Sequence, residues 1–498
     1  MFKDLRNVTK HSSVYFLGNF ISKIIGIILL PLYTKVILVE AYGIYSIFEV
    51  TIQFGQSILH FGIPNAIFRW LNLEEYKNKR GSIIFTSQLF LLGITCIIIL
   101  LAFIFKNNLS ILCFQTIEYE LFFPVIAIIL GLSLLLKIPL ALIRIEEKSL
   151  LYISITISRF ILQLVFTIYF VAILKIGIIG IFYGQLIGEI VAVIGLLIYM
   201  INKVCLRFEY KILKDMISFG FPLTFSDLSN RILNMGDRYI LGFLTNVSVV
   251  GVYSLGYKLA NLIDTLIINS FRTAFIPIAW KKFKEHNAKR FYAKLLIYYT
   301  FIVFWISLFI AVYAKGIIHT LALNKSYWDA SNIVAIVVLA IAVKGTSSII
   351  KMGLQFTKKT KLIAYIVLSA AALNIILNFL LIPLTGMYGA AFSTLISFLY
   401  IAFVTYFVSN KYYPITFEWI RLLKILFTSL LLYFISYLLN PLSFIWRIVL
   451  KFVLLCTYPI ILYLICFFQK QEISRIKGAW KKWKSIKNIH KNVKSISL

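Results

Sequence analysis

The chain has 498 residues, 61% hydrophobic and 14% charged, with a mean hydropathy of +0.91. No water-soluble packing hides that much apolar surface, so the solvent for most of the chain is lipid. The 50 lysines and arginines against 19 aspartates and glutamates would suggest nucleic acid for a soluble protein, but their placement along the chain excludes that partner.

In chain order, Lys3, Arg6 and Lys10 precede an apolar run too long for a signal-peptide core and followed by no small-residue cleavage site, so the run is expected to be retained as a first span. A hydrocarbon layer about 30 Å thick needs roughly 20 apolar helical residues. Fourteen stretches qualify: 13 to 37, 42 to 66, 82 to 105, 120 to 143, 149 to 174, 177 to 201, 216 to 243, 248 to 272, 295 to 315, 330 to 350, 362 to 384, 387 to 409, 419 to 438 and 443 to 468. With the N-terminus inside, the cytoplasmic segments hold 35 basic residues and the outer loops with their edges hold 7. Lys77, Lys79 and Arg80 form one inner cluster, and Lys281, Lys282, Lys284, Lys289 and Arg290 another. That alternation predicts an even number of spans with both termini cytoplasmic.

The chain repeats at an offset of about 208 residues. Gly43-Ile44-Tyr45-Ser46 returns as Gly251-Val252-Tyr253-Ser254, Lys137 and Arg144 return as Lys344 and Lys351, and Gly177 and Gly180 return as Gly386 and Gly389. Six spans per repeat is an even number, so the halves enter the membrane alike and a pseudo-two-fold along the membrane normal relates them. The expected fold is an all-α polytopic membrane protein with an N-lobe at 1–207, a C-lobe at 208–411 and two extra spans at 412–469. From Ile473 through Trp480 and Trp483 to Ile496, apolar residues recur at three- and four-residue steps between lysines, which predicts a basic amphipathic tail, 470–498, lying on the anionic leaflet.

No Gly-x-x-x-x-Gly-Lys loop, no His-Glu-x-x-His and no assignable Ser/His/Asp set is present, and the five cysteines include no Cys-x-x-Cys pair. We therefore expect no enzyme activity, no ATP hydrolysis, no metal site, no disulfide and no bound cofactor. The ionisable residues inside spans are costly in hydrocarbon and should face an interior cavity. They are Lys23, Lys137, Arg159, Arg231, Arg238, Lys258, Arg272 and Lys344 against Glu49, Glu189, Asp227, Asp237 and Asp264, a net positive set.

Tyr45, Glu49, Gln53, Gln56 and His60 fall on one stripe of the second span, and the eighth carries Tyr253, Lys258, Asn261 and Asp264 in the same region. Asp227, Arg231, Asn234 and Arg238 stripe the seventh, opposite Asn19 and Lys23 in the first. These four spans are expected to line a water-filled cavity in which Lys23 and Arg231 clamp an anion such as a phosphate. The alternative for Asp227 and Arg231, four residues apart, is a buried structural bridge. His60 is a candidate proton relay, and Glu49, Asp227 and Asp264 are candidates for coupling to a proton or sodium gradient.

The stretch from Gly26 through Pro31-Leu32-Tyr33 to Tyr42-Gly43-Ile44-Tyr45, and the stretch Asp237-Arg238-Tyr239-Ile240-Leu241-Gly242 followed by Val250-Gly251-Val252-Tyr253-Ser254, resemble the polysaccharide-repeat-unit flippases of the multidrug, oligosaccharidyl-lipid and polysaccharide exporter superfamily. The resemblance covers residues 10 to 410 and implies a two-lobed, V-shaped fold like that of the multidrug exporters, working by alternating access. It further implies an undecaprenyl-pyrophosphate-linked oligosaccharide as substrate, moved to the periplasmic leaflet for O-antigen, capsule or exopolysaccharide assembly. Membrane lipids, a polysaccharide polymerase and a chain-length regulator are the implied partners of a monomeric carrier. A cationic cavity is part of that resemblance, with Lys23, Arg231 and Lys258 as its first candidates and Arg159 and Arg238 added. A cation-coupled drug exporter, which should favour an acidic cavity, and a lipid II flippase are the rival readings. A membrane glycosyltransferase or polymerase would need a sizeable catalytic loop outside the membrane, and the longest here, near 273 to 294, is short and basic.

Overall fold

The computed structural model describes residues 29–283 and 285–474. Asn19 and Lys23, most of the first span, and the amphipathic tail from 475 onward lie outside the described residues. Within them every later apolar stretch is helical, and no strand is found among them. The match is closest where apolar composition alone sets the ends, as in the thirteenth span, Trp419–Leu438. The ninth runs longer than expected, Ala288–Leu321, because a helix continues past the hydrocarbon wherever polar residues keep forming its backbone bonds.

Eleven described helices are long and apolar enough to cross a membrane, short of the fourteen expected. The first span falls mostly outside the described residues. The second (Val39–Ile58, then Ile63–Trp70) and the seventh (Tyr210–Arg231, running on to Leu244) are helical but carry too many polar side chains to qualify by composition. The polar stripes that mark these two helices as cavity-lining are what lower their hydropathy.

Three helices that face the interior are irregular where the stripes lie. The second breaks at Leu59–Gly62, and Gly62 takes φ +71°, a left-handed conformation in which glycine carries no Cβ penalty. It packs on Gly220, where an added Cβ would stand 2.1 Å from backbone. The seventh and eighth spans contain π turns at Ile232–Gly236 and Asp264–Ile268, features that concentrate at functional sites. Pro64 and Pro139 sit in first helical turns rather than at kinks, where a missing N–H costs nothing. Pro222 and Pro383 lie inside their helices.

The repeat appears directly in the packing of the second span on the eighth. A Cβ on Gly43 would stand 1.8 Å from the Val247 carbonyl oxygen, and one on Gly251 would stand 2.3 Å from the Val39 carbonyl oxygen. Each glycine therefore meets the repeat partner of the residue that its own partner meets, a reciprocity that a local two-fold axis imposes.

By contact the chain divides into two compact units, 1–286 with 313–414, and 287–312 with 415–498. The first contains the polar stripes of both repeats. The second is tied by Arg421, whose guanidinium meets the Glu472 carboxylate at 2.7 and 3.3 Å, and by the Tyr298 hydroxyl donating to the same carboxylate at 2.6 Å. Buried Lys451 in this unit donates to Asn440 Oδ1 at 2.8 Å and to the Val312 carbonyl at 3.2 Å, which satisfies a cation that hydrocarbon alone would expel.

Candidate functional site

Within the first unit the polar faces converge on a cavity of about 970 Å³. The second span contributes Tyr45, Glu49, Gln53, Gln56 and His60, the whole expected stripe, and the seventh contributes Asp227, Arg231, Asn234 and Arg238. Lys258, Asn261 and Asp264 of the eighth line it as well. A one-sided stripe on a helix predicts such a wall, and three helices meet that expectation here.

Beyond the stripes, three of the other intramembrane cations expected to face a cavity, Lys137, Arg272 and Lys344, line it, and Arg144 and Lys351 join them. Lys137 and Arg144 come from the fourth span and Lys344 and Lys351 from the tenth. The two pairs correspond across the repeat, and it is this correspondence that marks Arg144 and Lys351 alongside Lys137 and Lys344. Among the described residues the lining holds eight lysines and arginines against three acids, Glu49, Asp227 and Asp264. Such a surplus gives the cavity a positive field.

Arg159 is absent from the described lining. Its guanidinium pairs with Glu189 at 3.2 Å between the fifth and sixth spans, so a buried acid that composition counted against the cavity is neutralised beside it. Arg238 reaches the cavity but is spent on structure. It is 5% exposed and Asp237 is 1% exposed; the two pair at 3.2 Å, Arg238 Nε donates to Ser254 Oγ at 3.2 Å, and the Tyr253 hydroxyl donates to Asp237. A cation with its donors already placed is a scaffold element rather than a free hand for substrate.

Arg231 Nη1 donates to Gln53 Oε1 at 2.5 Å, a neutral partner, and no ion pair joins it to Asp227 among the described residues. The expected alternative of a buried Asp227–Arg231 bridge is therefore not what the structure contains. Lys344 pairs with Asp264 at 3.6 Å and donates to Asn234 Oδ1 at 2.9 Å, joining the tenth span to the π turns of the seventh and eighth. Lys258 lies 5.8 Å from the Tyr33 ring centroid. His60 sits at the break in the second span, where its Nδ1 accepts the Gly62 N–H at 2.8 Å, which holds the ring in a local structural bond.

Tyr33, Tyr42 and Tyr45 line the cavity as a packed cluster. Tyr42 packs on Tyr33, Tyr45 and Tyr327 with centroids 5.7 to 6.4 Å apart, and the Tyr327 hydroxyl donates to the Ile37 carbonyl at 3.0 Å. The Gly43–Gly251 crossing lies on the same helices as Tyr42, Tyr45 and Tyr253.

Comparison with known proteins agrees with this architecture. Residues 8–283 match the family described as polysaccharide biosynthesis protein. A Shigella flexneri protein named "Putative O-antigen transporter" is 22% identical over 370 residues, covering 71% of this chain and 86% of its own length. Among solved structures, the lipid II flippase MurJ in an inward closed conformation superposes with a TM-score of 0.73 at 18% identity, covering 91% of this chain and 100% of that one. An inward-facing multidrug resistance MATE family transporter of the MOP superfamily gives 0.64 at 14% identity, covering 80% and 94%. These two establish the fold.

Proposed function

Because this chain belongs to the polysaccharide biosynthesis protein family, we propose that it is a flippase for lipid-linked oligosaccharide repeat units. It carries undecaprenyl-pyrophosphate-linked glycan from the cytoplasmic to the periplasmic leaflet of the inner membrane, supplying O-antigen, capsule or exopolysaccharide assembly, with polymerase and chain-length regulator as downstream neighbours. The observation that carries this reading is the cavity's charge: eight cations face three acids, on a fold shared with a lipid II flippase. A pyrophosphate head group gains most in such a space, because its charge finds fixed donors as it leaves water. The glycan meets the side-chain amides of Gln53, Gln56, Asn230, Asn234 and Asn261, groups able to donate to and accept from many sugar hydroxyls. Cationic drugs would meet the wrong sign of field, which sets the multidrug reading aside.

Alternating access in this reading works by parting and rejoining the close crossing of the second and eighth spans at Gly43 and Gly251. Coupling to a proton or sodium gradient acts through Glu49 or Asp227, the two cavity acids with no ion pair among the described residues, Asp264 being held by Lys344. The fold match favours one further reading, a lipid II substrate, which shares the pyrophosphate and differs in the sugar. Deleting the gene and extracting lipid-linked sugars decides between them. Repeat units accumulating on the cytoplasmic side with loss of surface polysaccharide are expected. Unchanged polysaccharide with no accumulation refutes the proposal, and accumulation of lipid II in their place selects the second reading.

A further inference from the structure

The two repeats present matching lysines to the cavity, Lys137 and Lys344, yet the chain surrounds them differently. Lys344 carries its own counter-ion, Asp264, at 3.6 Å, and a neutral acceptor, Asn234, at 2.9 Å. The residue 208 positions before Asp264 is Gln56, whose amide donates to Ser133 Oγ at 2.8 Å, one turn ahead of Lys137. Among the described residues, no acid stands within ion-pairing distance of Lys137. It lies in the field of Arg231, Arg159 and Arg144, opposed by Glu189, and Glu189 is already engaged by Arg159 at 3.2 Å. Asp227 acts on both Lys137 and Arg231, from beyond ion-pairing distance of either.

We propose that the anionic head of the substrate, a diphosphate diester, sits on Lys137 and Arg231, and that Asp264 holds Lys344 out of that role, so that the pseudo-symmetric cavity has an asymmetric anion seat. The diphosphate as the group that fills the seat rests on the flippase reading; the asymmetry rests on the geometry alone. The energetic reason is competition. An anion approaching Lys344 must displace a carboxylate and an amide that already satisfy it, whereas at Lys137 it meets a half-buried charge with no ion-pair partner among the described residues. Arg231 adds a planar donor fork whose present partner is the neutral Gln53, which an anion outcompetes. Seating the head off the axis, on the fourth and seventh spans, leaves the amide-rich walls of the second and eighth to the sugar.

The test is binding of two probes, inorganic pyrophosphate and undecaprenyl diphosphate, to the purified full chain in lipid nanodiscs. Lys137→Gln and Arg231→Gln should each weaken both probes about tenfold or more, and Lys344→Gln by no more than about threefold. Gln56→Glu removes no cation but gives Lys137 the internal partner that Asp264 gives Lys344, and it should weaken binding about tenfold, while Lys137→Arg retains it. Thermal melting of each variant checks folding, and if Lys137→Gln fails to fold, Gln56→Glu and Lys137→Arg decide the matter. Equal losses in Lys137→Gln and Lys344→Gln, or undiminished binding in Gln56→Glu, overturn the asymmetric seat. Pyrophosphate binding with the expected pattern but no capture of the lipid keeps the seat and removes the flippase reading; binding of neither probe removes both.

Discussion

Replacing Gly43 or Gly251 by alanine should part the second and eighth spans at their close crossing. The added Cβ would lie 1.8 Å from the Val247 carbonyl oxygen in the first case and 2.3 Å from the Val39 carbonyl oxygen in the second. An ordinary carbon–oxygen approach is about 3.4 Å, so the helices must part by roughly 1.5 Å at Gly43 and roughly 1 Å at Gly251. Both obstacles are backbone, which no rotamer change relieves. Overpacking of this kind costs about 1–3 kcal/mol, charged only to the state in which the two helices touch. That shifts the ratio of closed to open forms by roughly 5- to 150-fold. The assay is thiol labelling of Ser46→Cys, a buried cavity-lining position, in a cysteine-free background, with an impermeant reagent added from the Val39 side. Labelling should accelerate about tenfold in either alanine variant, and transport should slow because closure is part of the cycle. Gly195→Ala is the control, since nothing lies within 4 Å of its added Cβ. Unchanged Ser46→Cys labelling in folded Gly43→Ala and Gly251→Ala would refute the argument that this crossing is a closing contact.

Asp237→Asn should leave the buried Arg238 guanidinium without its counter-charge and lower the stability of the solubilised protein by about 3–5 kcal/mol, read as a drop in thermal melting temperature. A melting temperature within error of the native protein would show instead that Arg238 is not a scaffold cation. At the loop between the fourth and fifth spans, burial alone would raise the Glu146 carboxyl, but hydrogen bonds from Lys148, Lys203 and Tyr199 outweigh it and hold the group down to about 2. A depressed carboxyl stabilises the fold above its unfolded value of 4.5 and loses that contribution as pH falls toward 2. Lys203→Met should therefore destabilise at pH 7 and converge on the native melting curve as the pH is lowered below that value; a pH-independent gap would contradict the assignment.

Much of this protein was legible before any coordinates. Hydrocarbon imposes a length and an apolar composition on each crossing helix, so the span from Trp419 to Leu438 could be bounded from composition alone. Helical periodicity likewise put Tyr45, Glu49, Gln53, Gln56 and His60 on one face, and all five line the cavity. Those properties are local: they depend on residues within a few turns of one another. Charge compensation is not local. Arg159 is cancelled by Glu189 on the next helix, Arg231 finds Gln53, 178 positions away, and Lys344 finds Asp264 and Asn234 on two other helices. Which cations keep a free charge depends on how far each helix is rotated and how closely its neighbours approach, and a periodic pattern contains neither quantity. Tertiary packing alone therefore sorted the described members of a list of thirteen intramembrane ionisable residues into those paired as scaffold and those lining the cavity, and it added Arg144 and Lys351 to the second.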